Sequence, residues 1–249
     1  MGAPATMIRI DHLTKRFGRF TAVNDISFEV KPGEVFALLG PNGSGKTTTL
    51  KTIVGLSIPT AGRVLVNGID VQIEPKRART LISYLPQRVS FPDSLTAREV
   101  IRFYACMRKL SKEVADEALA QGNFNGWSDK SVGEFSGGMV QRLGLAIVSM
   151  PQAPILLLDE PTASLDPQGV KQFREFVTEQ KNLGRTIIFS THLLAEAEQL
   201  ADRVGIFVQG RLVAQESIEK LRESFLATGT IEDMYLYYVG LHSHEEHHV

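Results

Sequence analysis

The segment Gly40-Pro41-Asn42-Gly43-Ser44-Gly45-Lys46-Thr47 constrains the fold of this 249-residue chain more than any other. Its G-x-x-x-x-G-K-[ST] spacing follows Glu34-Val35-Phe36-Ala37-Leu38-Leu39, which reads as a buried strand, and precedes Thr47 to Leu56, which can continue as a helix. Strand, glycine-rich loop and helix in that order form a phosphate-binding P-loop. The glycines let consecutive peptide N–H groups turn inward around phosphate oxygens, and the helix N-terminus adds a positive dipole end. Gly40, Pro41, Asn42, Gly43, Ser44, Gly45 and Thr48 are therefore expected to cradle phosphates. Lys46 is expected to reach the β- and γ-phosphates, and the Thr47 hydroxyl to ligate Mg²⁺.

The length suits one large domain, or a domain carrying a small subdomain, and 43% apolar residues is ordinary for a globular chain. A net charge of -1 leaves no basic field, so nucleic acid is not expected as a partner. The lone cysteine, Cys106, leaves no internal disulfide framework and suits a reducing compartment; it reads as a small core residue. No apolar run approaches the roughly 20 residues of a bilayer-crossing helix. Residues 1–6 lack the charged start and apolar centre of a signal peptide. They fit a myristoylation pattern by chance and read as a loose leader.

Ile8 to Ile10 and Ile26 to Val30 read as short strands, Arg63 to Gly68 as a hairpin arm and Leu81 to Leu85 as another strand. From Leu95 to about Gln121 helical spacing takes over, with charges among Val100, Phe103, Met107 and Leu110. Gly122 to Phe135 is loop-like, and Gly137 to Met150 is a helix with Leu143, Ile147 and Met150 on one side. From Pro154 strands (Ile155 to Leu158, Thr186 to Ser190, Val204 to Val208) alternate with helices (Gln168 to Asn182, Leu193 to Ala201), which implies right-handed crossovers and a mainly parallel sheet. The expected fold is α/β: a P-loop NTPase core with a mainly parallel sheet, an antiparallel β subdomain and a small helical subdomain. Its segments are 1–94 and 136–230 for the core, 95–135 for the helical subdomain, and 231–249 for a C-terminal helix and histidine-rich tail. No internal repeat is present, so there is one cassette.

The strand Ile155-Leu156-Leu157-Leu158 ends in Asp159-Glu160. A P-loop enzyme needs an acid at such a place to hold Mg²⁺, here Asp159, and a second carboxylate, Glu160, can polarise an attacking water. Between P-loop and acids, Phe135-Ser136-Gly137-Gly138-Met139 turns directly into a helix, a second anion-binding N-terminus. One ATP already has its phosphates in the first nest. The second nest suggests a composite site in which Ser136, Gly137 and Gly138 of one subunit cap the γ-phosphate held by another.

With these elements in order, the chain resembles the nucleotide-binding subunit of ABC transporters over nearly its whole length. The signature matches in Ser136-Gly137-Gly138 and departs at Phe135, where Leu is usual, and at Met139, where Gln is usual. The resemblance implies further roles. Gln87, after Tyr84-Leu85-Pro86, matches the Q-loop glutamine associated with Mg²⁺ or the attacking water and with the membrane partner. Asp166, in Ser164-Leu165-Asp166, matches the D-loop that contacts the other subunit. His192 matches the switch histidine near the γ-phosphate, and Phe17 the aromatic that stacks on adenine.

The resemblance implies a membrane-transport ATPase using ATP and Mg²⁺, as a homodimer or heterodimer, bound peripherally at the cytoplasmic face to a separate transmembrane permease. The expected docking surface is the helical insertion, with Phe91-Pro92 and the helix from Leu95, together with the Gln87 region. Ile231 to Tyr238 is similar to the terminal helix of ATPases serving ABC-2-type exporters, which tilts the expectation to export. Two alternatives stand beside this reading. One is a soluble ABC-type ATPase acting on ribosomes or DNA; such relatives carry two cassettes, long coiled coils or zinc insertions, which this chain lacks. The other is a binding module without turnover, which the presence of Lys46, Asp159, Glu160 and His192 disfavours. His244, His247 and His248 could hold Zn²⁺ or Cu²⁺ but read as a solvated tail.

Overall fold

A computed structural model describes residues 6–122, 124, 126–225 and 240. The expected C-terminal helix from Ile231 and the histidine-rich tail lie outside the described residues, as do residues 1–5 of the expected leader.

Strands β1 (Ile8–Phe17) and β2 (Phe20–Val30) form a hairpin. With β4 (Ala61–Val66) and β5 (Ile69–Asp70) they make an antiparallel sheet in the order β2-β1-β4-β5. The second sheet holds β3 (Val35–Leu39), β6 (Ile82–Leu85), β7 (Ile155–Asp159), β8 (Thr186–Thr191), β9 (Arg203–Val208) and β10 (Arg211–Ser217). Its order is β10-β9-β3-β8-β7-β6; every neighbouring pair is parallel except β9 with the edge strand β10. Every residue of β3, β7 and β8 is buried, because both faces of this sheet are covered and a two-sided strand must be apolar throughout.

Alternate residues of the central strands feed different cores. Phe36, Leu38, Leu157 and Ile188 pack with the antiparallel sheet and α1 (Lys46–Ile53). Val35, Ala37, Leu39, Leu156, Leu158 and Phe189 pack on the other face. There they meet α6 (Pro167–Asn182), α7 (Leu194–Leu200) and α8 (Ile218–Phe225). A third core joins α3 (Ala97–Met107) and α4 (Lys112–Gln121) to α5 (Gly137–Ser149). Helix α5 belongs to two cores at once: Leu143 and Ala146 face α3 and α4, while Leu145 and Val148 face the sheet.

The structure departs from the sequence reading in several places. Strand β1 runs seven residues past Ile10, because the alternation breaks at a bulge where His12 takes φ 49 and the register to β2 shifts between Ile10 and Leu13. Several elements have no counterpart in that reading, among them α2 (Pro75–Thr80) and β10. Helix α2 buries only Ala78, and β10 is a half-exposed edge strand without an apolar run. Cys106 is exposed rather than in the core. Helix α3 turns Ala97, Val100, Ile101 and Ala105 inward, so the residue after Ala105 points to solvent with Phe103 and Met107.

Candidate active site

The P-loop leaves β3 at Leu39 and is fixed at both ends. Gly40 N donates to Thr191 O on the adjacent strand (3.3 Å), and Gly210 N donates to Ser44 O (3.1 Å). A Cβ on Gly40 would lie 2.2 Å from Phe207 O, and one on Gly45 would lie 2.6 Å from Ala22 O, so neighbouring backbone leaves no room for a side chain at either position. Gly43 (φ 81) and Gly45 (φ 103) occupy the left-handed region that only glycine enters freely. Pro41, Asn42 and Gly43 are open to solvent, while Ser44 is buried and its Oγ has no hydrogen-bond partner. Thr47 and Thr48 follow in the first turn of α1, half-buried.

The Lys46 side chain is 5% exposed and folds back over the loop, donating to Gly40 O (2.7 Å) and Pro41 O (3.1 Å). Its Nζ lies 3.3 Å from Glu160 Oε1. That oxygen is buried and accepts no hydrogen bond, so its contact with Lys46 is an ion pair alone. The other carboxylate oxygen, Oε2, accepts from Nδ1–H of His192 at 2.9 Å. Four elements thus meet here: the loop after β3, the start of α1, and the ends of β7 and β8.

Asp159 closes β7 with no exposure, and its Oδ1 accepts two hydroxyls: Thr47 at 2.9 Å and Ser190 at 2.7 Å. Tyr84 OH reaches Oδ2 at 3.5 Å. Burial pushes the Asp159 carboxyl above its ordinary range, the Ser190 and Thr47 hydrogen bonds pull it down, and the Glu160 charge pushes it up again. Burial, and then the Asp159 charge, raise the Tyr84 phenol. Because Thr47 donates its proton to Asp159, its oxygen lone pairs are free. A hydroxyl and a carboxylate in contact are a hard-oxygen set suited to a cation that takes one or two protein ligands and completes its shell with phosphate and water. Among the described residues no cluster of three His, Cys, Asp or Glu side chains forms a site built of protein alone.

The remaining expected residues lie around this cluster without joining it. Gln87 is exposed in the loop two residues past β6. Phe17 is 54% exposed at the tip of the β1–β2 hairpin, with Lys15 Nζ 4.7 Å from its ring centroid. Ser136 is the N-cap of α5, its Oγ accepting from Met139 N (3.3 Å). Gly137 and Gly138 stand against Ser164 of the same chain. Asp166 caps α6 by accepting from Gly169 N at 2.7 Å. Among the described residues no hydrogen bond or ion pair ties Ser136, Gly137 or Gly138 to Lys46, Asp159, Glu160 or His192. The sequence reading missed Ser190, whose hydroxyl also accepts from Glu160 N (2.8 Å), and the buried Thr191–Glu196 pair (2.8 Å) behind His192. The available signal was the hydroxyl pair directly preceding His192 on an expected strand.

The ABC transporter family profile matches residues 23–163, from β2 through the P-loop to just beyond Glu160. The chain belongs to the ABC transporter family. This ABC ATPase is 36% identical to the Nod factor export ATP-binding protein I of Burkholderia lata, over 92% of this chain and 77% of that protein. It is 35% identical to the probable multidrug ABC transporter ATP-binding protein YbhF of Escherichia coli K12, over 89% of this chain but only 39% of the longer relative. Its fold superposes on a solved ATP-binding subunit of an ABC transporter with TM-score 0.84 and 29% identity, covering 94% of this chain and 99% of that one. It also matches a dimeric, post-hydrolysis ATP-binding cassette bound to ADP and Pi, with TM-score 0.77 and 25% identity, over 85% of this chain and 99% of that one. The expectations of an α/β P-loop fold and of an ATPase of this family are met.

Proposed function

We propose that this chain powers export across a membrane by closing as a dimer around MgATP and hydrolysing it. The carrying observation is the convergence of Lys46, Glu160 and His192 beside the Thr47–Asp159 pair. The P-loop amides and Lys46 hold the β- and γ-phosphates. To do so, Lys46 exchanges the Gly40 and Pro41 carbonyls and the Glu160 carboxylate for phosphate oxygens, which frees Glu160. Glu160 then acts as general base toward water, and His192, oriented through Glu160, holds the γ-phosphate. Thr47 and Asp159, with Gln87, would hold Mg²⁺, which would supply charge neutralisation on the phosphates. Phe17 is the base platform.

Ser136, Gly137 and Gly138 serve the phosphate of a second copy or homologue, with Asp166 at the seam. That no hydrogen bond or ion pair joins them to the Lys46 cluster among the described residues is in keeping with this composite arrangement. No helix among the described residues is long and apolar enough to cross a membrane. The transmembrane part is proposed as a separate permease because the relatives are named as ATP-binding proteins of transporters. It docks on the helical subdomain and the Gln87 loop, at the cytoplasmic face. Relatives named for Nod factor export, multidrug transport and linearmycin resistance support export as the direction.

The test is Glu160→Gln. Phosphate release should fall by at least about 100-fold while ATP binding persists, and size-exclusion light scattering should show an ATP-dependent dimer. Turnover at the wild-type rate would remove Glu160 as base; a monomer under all conditions would remove the composite site.

A further inference from the structure

Ser190 lies at the C-terminal end of β8, and the parallel register sets it directly beside Asp159 on β7. It has no exposure to solvent. Its hydroxyl donates to Asp159 Oδ1 (2.7 Å) and accepts the peptide N–H of Glu160 (2.8 Å). A hydroxyl has one proton, and here it is committed to Asp159, since the contact with Glu160 N uses a lone pair. One side chain from the neighbouring strand therefore fixes both acids, the first through its carboxylate and the second through its backbone.

The second contact bears on conformation. Glu160 takes φ 46, a left-handed value unusual for a non-glycine residue. That turn aims its carboxylate back at Lys46 and His192 instead of continuing along the strand. The Ser190 hydroxyl is the partner of the peptide N–H at this turn. The first contact bears on the cation ligands. Oδ1 receives both Ser190 and Thr47, so the carboxylate is oriented by two elements at once, β8 and the P-loop helix.

We infer that Ser190 is a positioning residue for hydrolysis, a single hydroxyl that sets the orientation of the cation-holding Asp159 and of the base Glu160 together. Fully buried and bonded to both acids, it acts through them. This rests on the proposed roles of those acids. Removing a partner of this kind, one shell behind a metal ligand, typically lowers metal affinity or activity about 10–100-fold.

The experiment compares wild type with Ser190→Ala, Ser190→Thr, Asp159→Asn and Glu160→Gln in the full chain. The readouts are ATPase kinetics and the Mg²⁺ dependence of fluorescent ATP binding. Ser190→Ala should lower kcat about 10-fold or more and raise the half-saturating Mg²⁺ by a similar factor. Nucleotide binding in chelator should stay within about threefold of wild type, because the P-loop and Lys46 are untouched. Ser190→Thr, which keeps the hydroxyl, should recover most of both losses. Melting of Ser190→Ala controls for folding. A lower Tm with kcat and Mg²⁺ dependence within twofold of wild type would reduce Ser190 to a structural residue and overturn the inference. Wild-type ATPase indifferent to Asp159→Asn and Glu160→Gln would instead overturn the roles of the acids themselves.

Discussion

At the residue scale, the site contains a conflict between function and stability at Asp159. It is fully buried, and burial dominates in raising its carboxyl above the ordinary 3.8. A carboxyl whose folded pKa lies above its unfolded value favours the folded state while protonated, and that advantage is lost as pH rises through the folded pKa. At neutral pH the ionised group is therefore a burden on the nucleotide-free fold. Asp159→Asn relieves it and still accepts from Thr47 and Ser190. The variant should melt higher than wild type at pH 7, by roughly 2–4 °C per kcal/mol relieved, with hydrolysis lost. The gap should close as pH falls toward 3.8. Calorimetry across that range checks the sign; a gap that widens on acidification would show that burial does not dominate.

At the element scale, the residues legible in the sequence were those whose chemistry is local. The P-loop was readable because Gly43 and Gly45 need left-handed backbone and Gly40 meets neighbouring backbone, demands that few sequences satisfy by accident. Asp159 and Glu160 were readable from an apolar strand ending in acids. Ser190 was marked only as half of the hydroxyl pair before His192; which groups it holds comes from the β7–β8 register, and nothing along β8 itself states what lies beside it. Cys106 was misplaced for a related reason: the direction of a single helical residue depends on which stripe of α3 the tertiary packing selects. Asp166 shows two demands on one residue. It caps α6, so Asp166→Ala should cost about 1 kcal/mol in urea unfolding. Asp166→Asn keeps the cap, so unfolding should be near wild type; a fall in ATPase with stability retained would then belong to the subunit seam. Equal stability losses in both variants would count against the cap.

At the scale of the whole molecule, the P-loop and the Ser136-Gly137-Gly138 turn sit at the N-terminal ends of separate helices, α1 and α5, and only α5 is shared with the helical subdomain. The proposed head-to-tail pair would place one chain's Lys46 against its partner's Ser136 turn, and a complementation test addresses this directly. Lys46→Ala and Ser136→Arg should each abolish ATPase alone. Mixed in equal amounts, they should recover activity, because one site of each mixed dimer pairs an intact Lys46 with an intact Ser136. Random exchange limits recovery to about a quarter of wild type. No recovery, with mixed dimers verified by native mass spectrometry, would place both residues in one chain's site.

The outward-facing Cys106 also has a practical consequence. It is the sole thiol of the sequence, held on α3 beside Met107 and near Phe103, on the surface proposed to meet the permease. A maleimide dye or nitroxide would mark each chain once, at a known address, with no engineered cysteine and no native one to remove. The unaltered protein thus carries its own spectroscopic beacon for watching a membrane partner arrive.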